Sequence, residues 1–274
     1  MNFFDLSRNP GPMVGAHRGY RAIRPENTLA SFEAARGQCH YIEMDVQMSC
    51  EGVAVVHHDD ILGRTCDIEH PARVDTLFLA ELRQLDFGSW FAQKDPFGTL
   101  QNGTVKEEEL TPLFPQRIMT FEELLVWRNR VAIPLNIEIK DQKGGKYDGA
   151  VVDAVLKEVD KAKCMESVII SSFNHDYLKE ISCKMPEVML GALQEEENPP
   201  NICQYLRDIG ASAYHPDSEI VNKELLIALR SNGFAVNVFT VNDRTRQQYL
   251  LRDGATSIIT DFPSLTIVDD LSAA

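Results

Sequence analysis

Ionisable side chains recur at the ends of short apolar segments along this chain. They are His17, Arg18, Glu43, Asp45, His58, Glu138 and Lys140. Alternate side chains of an extended strand lie on one face, so Glu43 and Asp45 would point the same way. The same spacing groups Glu138 with Lys140. Charged groups gathered inside a fold carry a large desolvation cost unless they are paired or bind a metal.

Three of these residues suit a divalent cation. Glu43, Asp45 and Glu138 offer hard oxygen ligands, which Mg²⁺ and Ca²⁺ prefer, and water or substrate oxygens would fill the remaining positions. No cysteine is expected beside them in the fold to favour zinc. The alternative is an internal salt-bridge network in which the carboxylates pair with Arg18 and Lys140 without a metal. The spacing favours the metal site over the network.

Two histidines complete the set. Histidine titrates near neutral pH, so His17 and His58 could act as proton donor and acceptor. Arg18 and Lys140 supply positive charge for anionic oxygens. We expect such a site to bind a phosphodiester and to protonate a departing alkoxide. His57 points the other way along an extended strand and is expected to be structural, although a local bulge would exchange it with His58.

Several neighbouring residues have two interpretations. We expect PENT (25–28) to begin a helix with Asn27 as its N-cap, and Glu26 could also support the metal site from behind. Asp59 either orients a histidine or caps the segment that follows it. Asp261, in ITDFP, either forms a turn at a strand end or supports the site residues without contacting the substrate.

Short β-branched segments predict the strands that must position these residues. The segments are MVGAH (13–17), YIEMDV (41–46), VAVVHH (53–58), LNIEIK (135–140), VIISSF (168–173), VMLGAL (188–193), SAYHP (212–216), AVNVFTV (235–241) and SIITDF (257–262). Helical patterns separate most of them, at 28–36, 120–128, 147–162, 175–184, 201–208, 222–231 and 243–252. This alternation is typical of a parallel sheet with helical crossovers.

One connection is too short for such a crossover. YIEMDV and VAVVHH are joined only by QMSCEG, whereas a parallel crossover needs about a dozen residues or more. VAVVHH should therefore form a hairpin or an excursion. The eight remaining strand and helix units predict a (β/α)₈ TIM barrel, a single domain over 1–274, with its site at the carboxyl ends of the strands. A small inserted subdomain, about 60–116, is expected after the second strand and carries the helix-like LAELRQLDFGSWF.

The composition excludes some partners. The chain has 274 residues, with 41 Asp and Glu against 27 Lys and Arg and a net charge of −14, which argues against nucleic-acid binding. Its six cysteines form no C-x-x-C pair and are expected to be free thiols. The sequence shows neither a signal-peptide pattern nor an apolar run of membrane-spanning length, so it predicts a cytoplasmic protein without integral membrane association. It leaves the oligomeric state open.

Six ordered motifs resemble those of the glycerophosphodiester phosphodiesterase family. The motifs are HRGYRAIRPENT, EMDV, VVHHDDILGRT, LNIEIK, FTVN and ITDFP, and the resemblance spans residues 15–263. It implies a TIM barrel and metal-dependent hydrolysis of a small-molecule glycerophosphodiester to glycerol 3-phosphate and an alcohol. The LAELRQLDFGSWF segment also resembles the insertion of that family.

The resemblance further implies a role for each site residue. The implied roles are acid/base catalysis for His17 and His58, binding of Mg²⁺ or Ca²⁺ for Glu43, Asp45 and Glu138, and phosphate binding for Arg18 and Lys140. Phe239 lies where the family often has tryptophan. Phenylalanine at this position still provides an aromatic wall for the substrate site. Phe173 would be a second apolar wall, against the carbon face of glycerol.

Two other functions remain compatible with the sequence. The first is phospholipase D-like cleavage of a lysophospholipid or sphingomyelin, for which SWFAQKDPF (89–97) would provide an apolar lip. The second is a non-catalytic barrel that binds phosphorylated ligands, although a binding protein has no need of an acid/base pair. The sequence leaves open the preferred headgroup, the metal, which histidine is the acid, and whether the reaction passes through a cyclic phosphate.

Overall fold

Eight parallel strands close into a barrel in the computed structural model, which describes residues 2–265, 267 and 268. The barrel strands are β1 (Met13–His17), β2 (Tyr41–Met48), β4 (Leu135–Ile139), β5 (Val168–Ser172), β6 (Met189–Gln194), β7 (Ala213–Pro216), β8 (Ala235–Val238) and β9 (Ser257–Thr260). Strand β1 pairs with β9 on one side and with β2 on the other, which closes the sheet. The predicted TIM barrel is therefore confirmed.

The remaining strand, β3 (Ala54–Val56), lies outside the barrel order. It pairs antiparallel with the end of β2, with Val46 opposite Val56. The short QMSCEG connection thus forms a hairpin, because it is too short to reach a parallel position.

Helices follow the predicted order. They are α1 (Leu29–Ala35), α2 (Leu79–Leu82), α3 (Trp90–Lys94), α4 (Glu107–Leu110), α5 (Phe121–Val131), α6 (Val151–Ala162), α7 (His175–Lys184), α8 (Ile202–Asp208), α9 (Lys223–Ser231) and α10 (Arg244–Asp253). The helix predicted from residue 147 begins later, at Val151.

The N-cap of α1 differs from the prediction. Thr28, not Asn27, caps this helix, in a reciprocal pair with Ser31. Asn27 instead adopts a left-handed backbone conformation with φ 54°, and its side chain bonds to Asp45. Asparagine tolerates this conformation better than most residues, so it can leave the cap to its neighbour.

Residues 60–116 form an irregular segment between β3 and α5 that contains α2, α3 and α4. The helix-like LAELRQLDFGSWF divides into two short helices, α2 and the start of α3. Two small apolar clusters hold the segment together. One gathers around Leu62, Leu82 and Phe87, and the other around Trp90 and Phe91.

The barrel core has an apolar layer between the strands and the helices. Apolar side chains also fill the interior of the barrel at its amino-terminal end. Phe4, Met13, Tyr41 and Ile169 are buried together and close the amino-terminal part of the barrel. Polar residues lie at the opposite, carboxyl ends of the strands. Among the residues that the structure describes, no helix has the length and apolar character needed to cross a bilayer.

Candidate active site

Three acidic side chains meet at the carboxyl ends of β2 and β4. Asp45 lies directly opposite Glu138 in the strand register, and Glu43 precedes Asp45 on the same face. One carboxylate oxygen from each residue lies within 4.8 Å of the other two. Burial and the charges of Asp45 and Glu138 raise the pKa of Glu43 well above its usual value. The structure therefore brings together the residues predicted as metal ligands.

Two oxygens of this cluster have no hydrogen-bond partner among the described residues. They are Oε1 of Glu43 and Oδ1 of Asp45, and both are buried. Buried carboxylate oxygens are costly to leave unpaired, because water can no longer solvate them. A hard cation that takes carboxylate oxygens would satisfy both, so the donor set fits Mg²⁺ or Ca²⁺.

Two cations also lie against the carboxylates. Nζ of Lys140 lies 2.6 Å from Oε1 of Glu138, and Nε of Arg18 lies 3.4 Å from Oδ2 of Asp45. The backbone N–H of Arg18 donates to Glu43 over 3.0 Å. The ion pairs of the alternative network are thus present. Two positive charges leave one of three carboxylate charges uncompensated, so the network and a metal are compatible.

A tight turn after β1 brings Arg18 to the cluster. Arg18 and Gly19 both have left-handed φ angles, 52° and 83°. A Cβ on Gly19 would come within 2.4 Å of Oγ of Ser31, on α1. Only glycine therefore combines this backbone conformation with so close an approach to the helix.

His17, the last residue of β1, is held by a carboxylate. Its Nδ1 lies 2.7 Å from Oδ1 of Asp261, and Nδ2 of Asn242 donates to the other oxygen of Asp261. Burial and the nearby charge of Arg18 lower the pKa of His17 to about 4, against the opposing effect of Asp261. His17 is therefore neutral near pH 7. Asp261 accepts at Nδ1, which leaves Nε2 for proton exchange.

His58 has the same kind of partner on the other side of the site. Its Nδ1 lies 2.7 Å from Oδ1 of Asp59, whose second oxygen accepts from Nε of Arg64 over 2.7 Å. Nε2 of Gln47, on β2, lies within 3.2 Å of the carbonyl oxygens of residues 57, 58 and 59. Asp59 thus orients a histidine, one of the two interpretations that the sequence allows.

His57 occupies a different environment from its neighbour. It is buried, and its ring meets Phe87 edge to face at 5.4 Å. Burial lowers the pKa of His57 to about 4. The packing is that of a structural residue, as its direction along the strand predicts.

The two expected aromatic walls lie side by side. The rings of Phe173 and Phe239 meet edge to face at 5.9 Å, and Nζ of Lys140 lies 5.9 Å from the Phe173 ring centre. Two of the three aromatic residues in the expected lip at 89–97 are interior, because Trp90 and Phe91 are buried. Phe97 alone of its three aromatic residues is partly exposed, and it packs against Phe262.

Sequence reasoning did not assign roles to Arg21, Arg64, Gln47 or Asn242, which contact the site residues. Arg21 and Arg64 both lie within the quoted motifs, in HRGYRAIRPENT and ILGRT. Their position as charged residues inside these motifs was the sequence signal that could have identified them as part of the site. Asn27, expected at the helix cap, donates to Oδ2 of Asp45 over 2.7 Å.

Comparison with known proteins assigns the chain to a family. The family model described as "Glycerophosphoryl diester phosphodiesterase family" matches residues 17–265. A glycerophosphodiester phosphodiesterase from Bacillus altitudinis is 30% identical over 258 residues, which cover 93% of this chain and 96% of that protein. A phosphodiesterase from Oleispira antarctica, solved with its product sn-glycerol-3-phosphate, has a TM-score of 0.80 and 26% identity, and the match covers 94% of this chain and 97% of that one. The chain belongs to the glycerophosphoryl diester phosphodiesterase family and is an enzyme of that class.

Proposed function

We propose that the protein hydrolyses glycerophosphodiesters to glycerol 3-phosphate and an alcohol by metal-dependent acid/base catalysis. In this proposal Glu43, Asp45 and Glu138 bind one divalent cation, Mg²⁺ or Ca²⁺, and His17 and His58 exchange the protons. The observation that carries it is the convergence of three carboxylates within 4.8 Å, two of which have a buried oxygen without a hydrogen-bond partner among the described residues.

The proton-transfer roles follow from the two histidine and aspartate pairs. Asp261 and Asp59 each accept at the Nδ1 of a histidine, so each imidazole presents Nε2 with its ring held in place. One imidazole would remove a proton from the attacking oxygen, and the other would protonate the leaving alkoxide. A bound cation would supply Lewis-acid stabilisation of the phosphoryl oxygens.

The remaining predicted residues would bind and orient the substrate. Arg18 and Lys140 lie against the carboxylate cluster and would contact phosphate oxygens on its open side. The paired rings of Phe173 and Phe239 would pack against the carbon face of glycerol. The Oleispira relative, with sn-glycerol-3-phosphate as its product, supports the same product here.

We infer that the natural substrates are deacylated. The segment 89–97 buries two of its three aromatic residues, which leaves little apolar surface for an acyl chain. We further infer that the chain is one barrel domain with residues 60–116 as its insertion. The six free thiols suit a reducing compartment such as the cytoplasm.

Product release tests the proposal directly. The purified protein is incubated with glycerophosphocholine, glycerophosphoethanolamine and lysophosphatidylcholine in the presence of Mg²⁺ or Ca²⁺. Glycerol 3-phosphate is measured for the two deacylated substrates, and choline is measured for lysophosphatidylcholine, whose phosphate stays on lysophosphatidic acid. We expect release from the deacylated substrates, and a loss of about 10²-fold or more in His17→Ala and His58→Ala. His57→Gln serves as the matched control and should retain most of the rate. Rates that survive in both alanine variants would rule out the two-histidine proposal.

A further inference from the structure

Glu26 lies at the centre of an ion-pair network next to the site. Its side chain is 3% exposed and contacts three guanidinium groups. Arg18 donates to Oε1 over 2.7 Å, Arg21 lies 2.9 Å from Oε2, and Arg64 contacts both oxygens. Burial would raise the pKa of Glu26, but the arginines hold it well below its usual value. Glu26 is therefore a charged carboxylate with fixed partners.

One arm of this network leads to His17. Nη1 of Arg21 lies 3.5 Å from Oδ1 of Asp261, the atom that accepts at Nδ1 of His17. Arg21 is packed in place, because its guanidinium lies 5.4 Å from the ring centre of Phe97. Arg21 therefore contacts Asp261 alongside Asn242, and its Nη1 also lies 3.3 Å from Nδ1 of His17. Glu26 in turn holds Arg21.

The other arm leads to His58. Arg64 bonds to both oxygens of Asp59, over 2.7 and 3.0 Å, and Asp59 accepts at Nδ1 of His58. A planar guanidinium that bridges two carboxylates fixes their relative positions, since its donors have a rigid geometry. Arg64 thus ties Asp59 to Glu26.

The two arms meet at one residue. The contacts run from His17 and His58, each through an aspartate and then an arginine, to the two oxygens of Glu26. We propose that Glu26 is a positioning residue that holds both histidines in register with each other across the site. This inference rests on the proposed function only for its catalytic consequence, because the geometry concerns the histidines themselves.

Loss of the Glu26 charge should change the surroundings of both His17 and His58. In Glu26→Gln the amide can no longer hold Arg21 and Arg64 as a carboxylate does. Each arginine then shifts toward its remaining aspartate, and each aspartate shifts relative to its histidine. A residue that merely stabilised the fold would lower the melting temperature without altering both imidazoles specifically.

The test combines nuclear magnetic resonance with kinetics on the full chain. The Nδ1–H resonances of His17 and His58 are recorded in wild type and in Glu26→Gln, without substrate. We expect both to move in the variant. At saturating metal we expect kcat to fall about tenfold or more, with a smaller change in KM. Glu33→Gln is the matched control, since it removes a carboxylate on α1 that accepts from Arg36 and from Trp127 of α5. It should leave both resonances and kcat unchanged.

A second variant covers the case in which Glu26→Gln does not fold. Arg64 is partly exposed, so Arg64→Gln should be tolerated. It should move the His58 resonance strongly and that of His17 to a smaller extent, although Arg64 makes no contact with His17 within the described chain. The proposal is overturned if His17 is unmoved in Arg64→Gln or if only one histidine responds in Glu26→Gln. If both resonances move while the wild type releases no glycerol 3-phosphate, the proposed function fails and the positioning role stands.

Discussion

Glu43 illustrates at the residue scale why this site needs a cation. It lies beside two other carboxylates. One of its oxygens accepts from the backbone of Arg18, and the other has no hydrogen-bond partner among the described residues. Its raised pKa means that the folded protein resists ionisation of this group. Without a metal, the ionised cluster works against folding, since like charges are held together away from water.

Glu43→Gln should therefore have opposite effects with and without metal. In chelator we expect the variant to melt at a higher temperature than the wild type, because the metal-free wild type must either ionise Glu43 beside two carboxylates or take up a proton on folding, and the amide does neither. With Mg²⁺ or Ca²⁺ at 100 times its dissociation constant, the wild type should gain about 2.7 kcal/mol, and the variant much less. Thermal unfolding in both buffers measures this. An equal gain in the variant would show that the metal binds elsewhere.

The same scale shows what the sequence could and could not predict. The grouping of Glu43 with Asp45 follows from strand periodicity alone. The contacts of Glu26 do not, because Arg64 lies 38 residues away, in an irregular segment whose path periodicity cannot supply. Asn27 was assigned to the helix cap because its type favours a cap, whereas its left-handed backbone instead directs it to Asp45.

At the element scale, β2 serves two purposes with three alternate residues. Glu43 and Asp45 join the carboxylate cluster, and Gln47, next on that face, supports the carbonyl oxygens around His58. A single strand thus fixes the distance between two proposed metal ligands and one proposed acid/base group. The hairpin to β3 is what turns the chain back so that His58 can reach this position.

Removal of the Gln47 amide should disturb this arrangement. In Gln47→Leu the carbonyl oxygens of residues 57–59 lose their side-chain donor, at a cost of about 1–3 kcal/mol in the free energy of unfolding. We expect kcat to fall about tenfold or more as His58 shifts. Urea unfolding and steady-state kinetics measure the two effects.

Asn129→Leu provides the control for this variant. Asn129 donates to the carbonyl oxygen of Ala162 and so joins α5 to the end of α6, apart from the site residues. It should lose stability while it keeps the wild-type kcat. Wild-type kcat in Gln47→Leu would show that the bonds to the 57–59 backbone do not position His58.

At the scale of the whole molecule, barrel closure makes the site. Asp261 lies 244 residues from His17, yet the pairing of β9 with β1 brings them into contact. The count of strand and helix units predicted this closure, because eight such units form a closed barrel. The side-chain partners of residues 60–116 were not predictable in the same way, since that segment has no repeating pattern.

Burial inside the closed barrel also predicts a pH dependence of stability. Burial lowers the pKa of His215 to about 3, so the folded protein keeps it neutral where the unfolded chain, with an ordinary histidine pKa near 6.5, would protonate it. The contribution of neutral His215 to the free energy of unfolding is fully present above about pH 6.5. It is lost as the pH falls from there toward the folded pKa, by up to about 1.4 kcal/mol per pH unit.

His215→Gln tests this dependence against the wild type. The variant should lose less stability than the wild type between pH 7 and pH 5, even if it is less stable at pH 7. Urea unfolding at several pH values, in chelator, measures the difference. The contributions of other groups cancel in this comparison, and parallel curves would contradict the buried-histidine account.

The central claim is that one divalent cation, bound by three carboxylates between two histidines, is required for glycerophosphodiester hydrolysis. The most direct measurement is glycerol 3-phosphate release from glycerophosphocholine or glycerophosphoethanolamine by chelator-stripped protein as Mg²⁺ or Ca²⁺ is added back, with Asp45→Asn in parallel. We predict no turnover without metal, full recovery at one ion per chain, and no recovery in the variant. Undiminished turnover by the stripped wild type would contradict the account.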